Sequence, residues 1–188
     1  MTSIRHTPKS PTLSDDALLD AAREAIVAVG WSKTTLTDVA RRAGVSRMTL
    51  YRRWPDMGTL VADLMTREWT LTLGEVLDDS DDIAGTVLAV VRALRGNELL
   101  RRIIELDPQV LLPYLLERPG RSQELLSDVL VGQIKKGQKA GTVRRGNATT
   151  LARSILLAAH GFTLSAHTMG STETFDRELR VMLQGYLR

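Results

Sequence analysis

One stretch limits the fold before anything else does. It is residues 35–56, TLTDVARRAGVSRMTLYRRWPD. It reads as two short helices joined by a tight turn. Thr35 is placed as an N-cap, since its hydroxyl can accept from an orphan N–H of the first turn, and Asp38 three residues on can reach back in a capping-box arrangement. Val39, Ala40 and Ala43 give the first helix an apolar side. Gly44 falls where the chain must leave that helix at positive φ, which glycine adopts at least cost. Val45 is the apolar residue of the turn. Ser46 caps a second helix expected to run to about Trp54, and Pro55 ends it.

This is helix-turn-helix spacing, and the second helix is the one that would enter a DNA groove. Leu50 is expected to face inward. Arg47, Met48, Thr49 and Arg52 are the candidates for base edges, because arginine can pair with a guanine edge and a threonine methyl can meet a thymine methyl. Thr35, Thr37, Ser46, Tyr51 and Arg53 are the candidates for phosphate oxygens. The competing reading is an amphipathic helix with a solvated basic face. Charge distribution weighs against it. Residues 1–60 hold nine Lys or Arg against six acids, and the other 128 residues carry sixteen of each sign. Between 41 and 53 there are five arginines and no acid. A phosphate backbone, through counterion release, favours such a local excess.

The rest of the chain reads as helices. Ser14 caps a helix with a Leu18, Ala21, Ala22, Ala25, Ile26, Val29 stripe, and Gly30 ends it. A fourth helix starts near Asp56 or Thr59 and is long enough to leave the head for a second domain. Asp78-Asp79-Ser80-Asp81-Asp82 is an acidic loop without the glycine turn or ligand spacing of a calcium site. Helices follow at about 83–94, 99–106, 110–116, 122–140, 147–168 and 172–187, each broken by Gly, Pro or Asn; Gly141 stops the fourth of these, Asn147 caps the fifth, and the last carries Phe175, Leu179, Met182, Leu183 and Tyr186 on one stripe. The stretch 147–168 is apolar on nearly every side and rich in small residues, so it needs cover on more than one face. No strand signal rises. The expected fold is all-α. Residues 1–13 form an N-terminal arm, 14–57 a three-helix head with the helix-turn-helix, and 58–188 a larger helical domain for ligand binding and dimerisation.

The segment Gly30-Trp31 … Thr34-Thr35-Leu36-Thr37-Asp38-Val39-Ala40 … Ala43-Gly44-Val45-Ser46 … Thr49-Leu50-Tyr51 … Trp54-Pro55-Asp56 closely resembles the N-terminal domain of TetR-type transcriptional regulators. The detailed match spans about residues 14–65. Trp54 stands where that family usually has Phe, and Met57 where it usually has a phosphate-binding Lys. The resemblance implies that the fourth helix links a ligand site to the DNA-binding head.

Other chemistries lack a constellation. The chain has no cysteine and three histidines, His6, His160 and His167. There is no HExxH, no phosphate-binding glycine loop and no Gly-x-Ser-x-Gly, so neither a metal, a cofactor nor an enzymatic activity is expected. No apolar run is long enough to span a bilayer and the first residues lack a signal-peptide core, so the expected location is cytoplasmic. A cavity between helices of the second domain is the natural place for a small molecule. Met65, Trp69, Leu106, Tyr114, His160 and Phe162 are its candidate lining. The preferred reading is a ligand-responsive transcriptional regulator. It binds near-palindromic double-stranded DNA as a homodimer through about 122–140 and 147–168, acting as a repressor released by a small apolar effector. The alternative is a helical binding module whose helix-turn-helix is non-functional.

Overall fold

The computed structural model describes residues 13–76 and 82–188. The arm expected over 1–13, apart from Leu13, and the acidic loop up to Asp81 lie outside them. Among the described residues ten α-helices follow one another: α1 Asp15–Val29, α2 Leu36–Arg42, α3 Arg47–Tyr51, α4 Met57–Val76, α5 Ile83–Gly96, α6 Glu98–Leu106, α7 Leu112–Leu116, α8 Arg121–Ala140, α9 Ala148–Met169 and α10 Thr172–Leu187. A 3-10 turn, Pro108–Leu111, precedes α7. No strand occurs among the described residues.

The caps sit where the sequence puts them. Ser14 accepts from Ala17 N and Asn147 from Thr150 N, while Asn97, expected only as a helix break, caps α6 by accepting from Leu100 N. Gly30, Gly44 and Gly141 all take positive φ at helix ends. Three expectations shift. The α geometry of α3 stops at Tyr51, and one further turn, closed by Trp54 N–H donating to Leu50 O, carries the chain to Pro55. The helix expected from Val110 is split, because Pro108 sets a 3-10 start and Pro113 lies in the first turn of α7. Met182, expected on the apolar stripe of α10, is exposed.

Two hydrophobic clusters result. The first joins α1, α2 and α3 to the start of α4, through Leu18, Ile26, Val39, Leu50, Leu60 and Leu64. It also takes in Leu99 and Ile103 of α6. This cluster therefore runs past residue 57, and it is built partly from a helix some forty residues further along the chain. The second cluster joins α5, α8, α9 and α10 around Val91, Ile134, Ile155 and Leu179. The 20 residues of α4 span roughly 30 Å. Its first half lies in the first cluster, and Met65 near its middle, with Trp69 and Leu73 of its second half, faces a cavity.

Candidate nucleic-acid interface and interior cavity

The turn between α2 and α3 is held by its own side chains. Asp38 N–H donates to Thr35 Oγ1 at 3.2 Å, and Thr35 N–H donates back to Asp38 Oδ2 at 3.1 Å. The Thr35 hydroxyl gives its single proton to the same carboxylate at 2.5 Å. These bonds from Thr35 hold the Asp38 carboxyl below its ordinary range. Thr35, expected at a phosphate, thus has both of its donors engaged inside the cap. Ser46 accepts from Thr49 N–H at 3.2 Å, and its hydroxyl lies 2.9 Å from that of Thr49. Thr37 is half-buried on the first turn of α2.

The outer face of α3 is open. Leu50 is fully buried beneath it, as expected, whereas Met48 is 74% exposed and Arg47, Tyr51 and Arg52 are exposed. Neither Arg47 nor Arg52 forms an ion pair among the described residues. The other three arginines of the basic cluster are engaged. Arg41 pairs with Asp38 at 2.8 Å and Arg42 with Glu24 at 3.0 Å. Arg53, expected at a phosphate, points back at the start of α1. Its Nη1 donates to Leu13 O at 3.0 Å, and its Nε lies 3.0 Å from Asp15 Oδ1. The charge that the sequence concentrates over 41–53 is therefore presented mainly through two residues.

The two departures from the family pattern are both accommodated. Trp54 is buried, and its indole N–H, which a phenylalanine would lack, donates to Asp63 Oδ2 at 2.9 Å. Met57 opens α4 half-buried against the first cluster, where an apolar side chain belongs. Asp56 caps that helix by accepting from Thr59 N–H at 2.7 Å.

Between α4, α6, α7, α8 and α9 lies a cavity of about 190 Å³. Met65, Trp69, Tyr114 and His160 line it, as expected. Leu106 and Phe162 do not, and both expectations are corrected. Leu106, the last residue of α6, turns its side chain to the corner after α1, where it would meet a Cβ added at Gly30. Phe162 follows His160 by two residues, about 200° round the helix. It packs edge-on to Phe175 of α10, with ring centroids 6.4 Å apart. Sequence reasoning missed Arg118, Arg121, Gln123 and Thr163, which also line the cavity. Gln123 Nε2 and His160 Nε2 lie 3.1 Å apart, and burial pushes the imidazole below its ordinary pKa. Long polar side chains at helix starts give no periodic signal, so only the fold could place them there.

Polar ties join this cavity region to the head. Glu68, buried one position before Trp69, meets Arg23 of α1 at 3.2 Å and Arg67 at 3.4 Å. Arg23 also reaches Glu98 of α6 at 3.3 Å. Asp107, just after α6, is 1% exposed and accepts from Trp31 N–H at 2.6 Å and Ser32 N–H at 3.3 Å. Arg102 of α6 donates to Val27 O at 3.0 Å. On the far side, α8 and α9 leave Leu125, Val129 and Leu157 exposed, the last by 73%. Ser154, Ala158, Gly161 and Ser165 follow at helical spacing on α9, and a Cβ at Gly161 would meet open space. No metal-binding group of His, Asp or Glu occurs among the described residues, and no helix there is long and apolar enough to cross a membrane.

The family profile for bacterial regulatory proteins of the tetR family matches residues 18–64. An uncharacterized HTH-type transcriptional regulator of Mycobacterium bovis is 36% identical over 176 residues, covering 90% of this chain and 92% of that protein. Among solved structures, Salmonella enterica GusR superposes with a TM-score of 0.66 at 20% identity, over 98% of this chain and 99% of that one. The regulator FadR of Bacillus subtilis, in complex with stearoyl-CoA, gives a TM-score of 0.66 at 14% identity, over 93% and 100%.

Proposed function

Because this chain belongs to the tetR family of bacterial regulatory proteins, and is thus a DNA-binding transcriptional regulator, we propose that it acts as a dimeric repressor released by a small molecule. One observation carries the DNA-binding part of this reading. The outer face of α3 is solvent-exposed, and its Arg47 and Arg52 have no acidic partner among the described residues, while the neighbouring arginines do. Arg47, Met48, Thr49 and Arg52 read base edges, and Thr37, Ser46 and Tyr51 meet phosphates. Arg53 instead fixes the start of α1, and Thr35 fixes the turn.

Two copies join through α8 and α9. Leu125, Val129 and Leu157 are apolar and uncovered, and the small residues of α9 let a second helix approach closely. A two-fold dimer then places two α3 helices on successive major-groove faces, roughly 34–36 Å apart, and asks for a near-palindromic operator. The effector occupies the cavity beside Trp69. It releases DNA by favouring the state in which the heads are misplaced, and only by its difference in affinity between the two states. The ties at Glu68 and Asp107 give that difference a route to the head, since α4 and α6 both touch the cavity and the first cluster.

A mobility-shift titration on the DNA flanking its own gene tests the reading. Binding should weaken steeply with salt, by a slope of about 0.9 per phosphate contact. Absent or salt-insensitive binding to every candidate site would favour a helical binding module with an idle helix-turn-helix. Repression rather than activation is tested by placing the bound site upstream of a reporter.

A further inference from the structure

The cavity wall carries positive charge with no carboxylate among its lining residues to balance it. Twenty residues line the space. Two of them are arginines, Arg118 and Arg121, and none is an acid. Both arginines are exposed, Arg118 on the short link after α7 and Arg121 as the first residue of α8, at the α7–α8 end of a mostly apolar chamber. Neither forms an ion pair among the described residues. Glu117 and Glu124 flank them in sequence, yet both are exposed and bridge to neither. The contrast within the same chain is plain. Arg23, Arg67 and Arg95 stand in partly buried surroundings, and each is matched by a carboxylate.

The remaining polar groups at this end are neutral donors and acceptors. Ser122, Gln123 and the Tyr114 ring lie beside the arginines, and His160 is bonded to Gln123. Burial disfavours the charged form of His160, so it does not repeat the positive charge. The apolar lining includes Met65, Trp69, Leu73, Leu94, Leu100 and Leu126. The volume limits what fits. An apolar cavity of about 150 Å³ is enough for a benzene-sized body, and this one measures about 190 Å³.

We propose that the ligand of this cavity is a small monocarboxylate, with its carboxylate between Arg118 and Arg121 and an apolar body, one aromatic ring or a short acyl chain, against Trp69 and Leu126. Guanidinium matches a planar carboxylate with two parallel bonds, which a neutral polar head does not reproduce. A cationic ligand is disfavoured by the same two charges. Entry of the apolar body draws the head against arginines that are otherwise in water, so the ligand itself supplies their missing partner. The word effector for this ligand rests on the regulator reading. The binding site does not.

The test is calorimetric titration of the full chain with phenylacetate and octanoate, each beside its neutral amide, phenylacetamide and octanamide. The acids are expected to bind at least about tenfold more tightly than the amides. Arg118→Gln with Arg121→Gln should erase that preference, so that each acid binds no more tightly than its amide, and Arg118→Lys with Arg121→Lys should keep part of it. Equal binding of acids and amides overturns the proposal. So does a preference that survives the glutamine pair, or the failure of both acids to bind. Mobility shifts on the same preparations separate this from the regulator reading. Carboxylate binding without DNA binding sinks only the regulator, and DNA binding without carboxylate binding sinks only the ligand assignment.

Discussion

Asp107 offers the sharpest test of how the two halves of the molecule are joined. Its carboxylate is 1% exposed and accepts two backbone N–H groups from the corner that follows α1. Asp107→Ala leaves both donors without their partner. A hydrogen bond to a charged group contributes about 1.5–3 kcal/mol, and a neutral or long one about 0.5–1.5 kcal/mol. The 2.6 Å bond from Trp31 belongs to the first class, and the 3.3 Å bond from Ser32 to the second. The expected loss is therefore about 2–4.5 kcal/mol. Asp107→Asn keeps the shape and one acceptor for Trp31 and should cost roughly half as much. Urea denaturation followed by circular dichroism measures both. Because Asp107 ends α6, whose Leu100 lines the cavity, the same variants should bind ligand while showing a weakened effect of ligand on DNA affinity. An Asp107→Ala protein within about 0.5 kcal/mol of the parent, or an Asn variant as damaged as the Ala one, would refute this account of the corner. Gly30→Ala is a companion change. Its Cβ would fall 2.9 Å from Asp107 Oδ2 at a φ of +90°, so it should also destabilise.

Four further outcomes are expected. Arg52→Ala should cost about 1–3 kcal/mol on the matched operator and much less on random DNA; equal loss on both would make Arg52 a phosphate contact. Arg53→Ala should leave the salt slope of DNA binding unchanged and lower stability by at most about 1 kcal/mol, the scale of a partly exposed ion pair, as read from paired titrations and melts. Leu157→Arg should yield a folded monomer in analytical ultracentrifugation that no longer shifts operator DNA; a dimer that survives would move the interface off α9. His160 titrates lower in the folded protein than its ordinary value of 6.5. The unfolded chain thus binds the extra proton first, so stability is full above about pH 6.5 and falls as the pH drops below it. His160→Gln should flatten that part of the stability–pH curve.

Much of the fold was legible because the signals are local. The capping pair Thr35 and Asp38, the positive-φ exit at Gly44 and the cap at Ser46 depend on residues three or four apart, so their bonds follow from spacing. The same holds for the helix ends at Ser14, Gly30, Asn147 and Gly141. The side of α3 that faces water was legible too, since burial of Leu50 leaves Arg47, Tyr51 and Arg52 outside. In the cavity, Met65, Trp69, Tyr114 and His160 were readable as large or polar side chains in an apolar domain.

What each helix meets was not readable in this way. Arg53 looks like any groove-facing arginine until Leu13 and Asp15, about forty residues earlier, turn out to hold it. Asp107 reads as a helix stop before proline, yet its partners Trp31 and Ser32 lie about seventy-five positions away. Phe162 and His160 share one helix but serve different neighbours, and Arg118 and Arg121 gain meaning only where the start of α8 closes the chamber. Hydrogen bonds within a helix act over one turn, so the sequence by itself determined the elements and their ends. Ion pairing and enclosure depend on which distant surfaces meet, and those only the packing of α4 and α6 against both clusters decided.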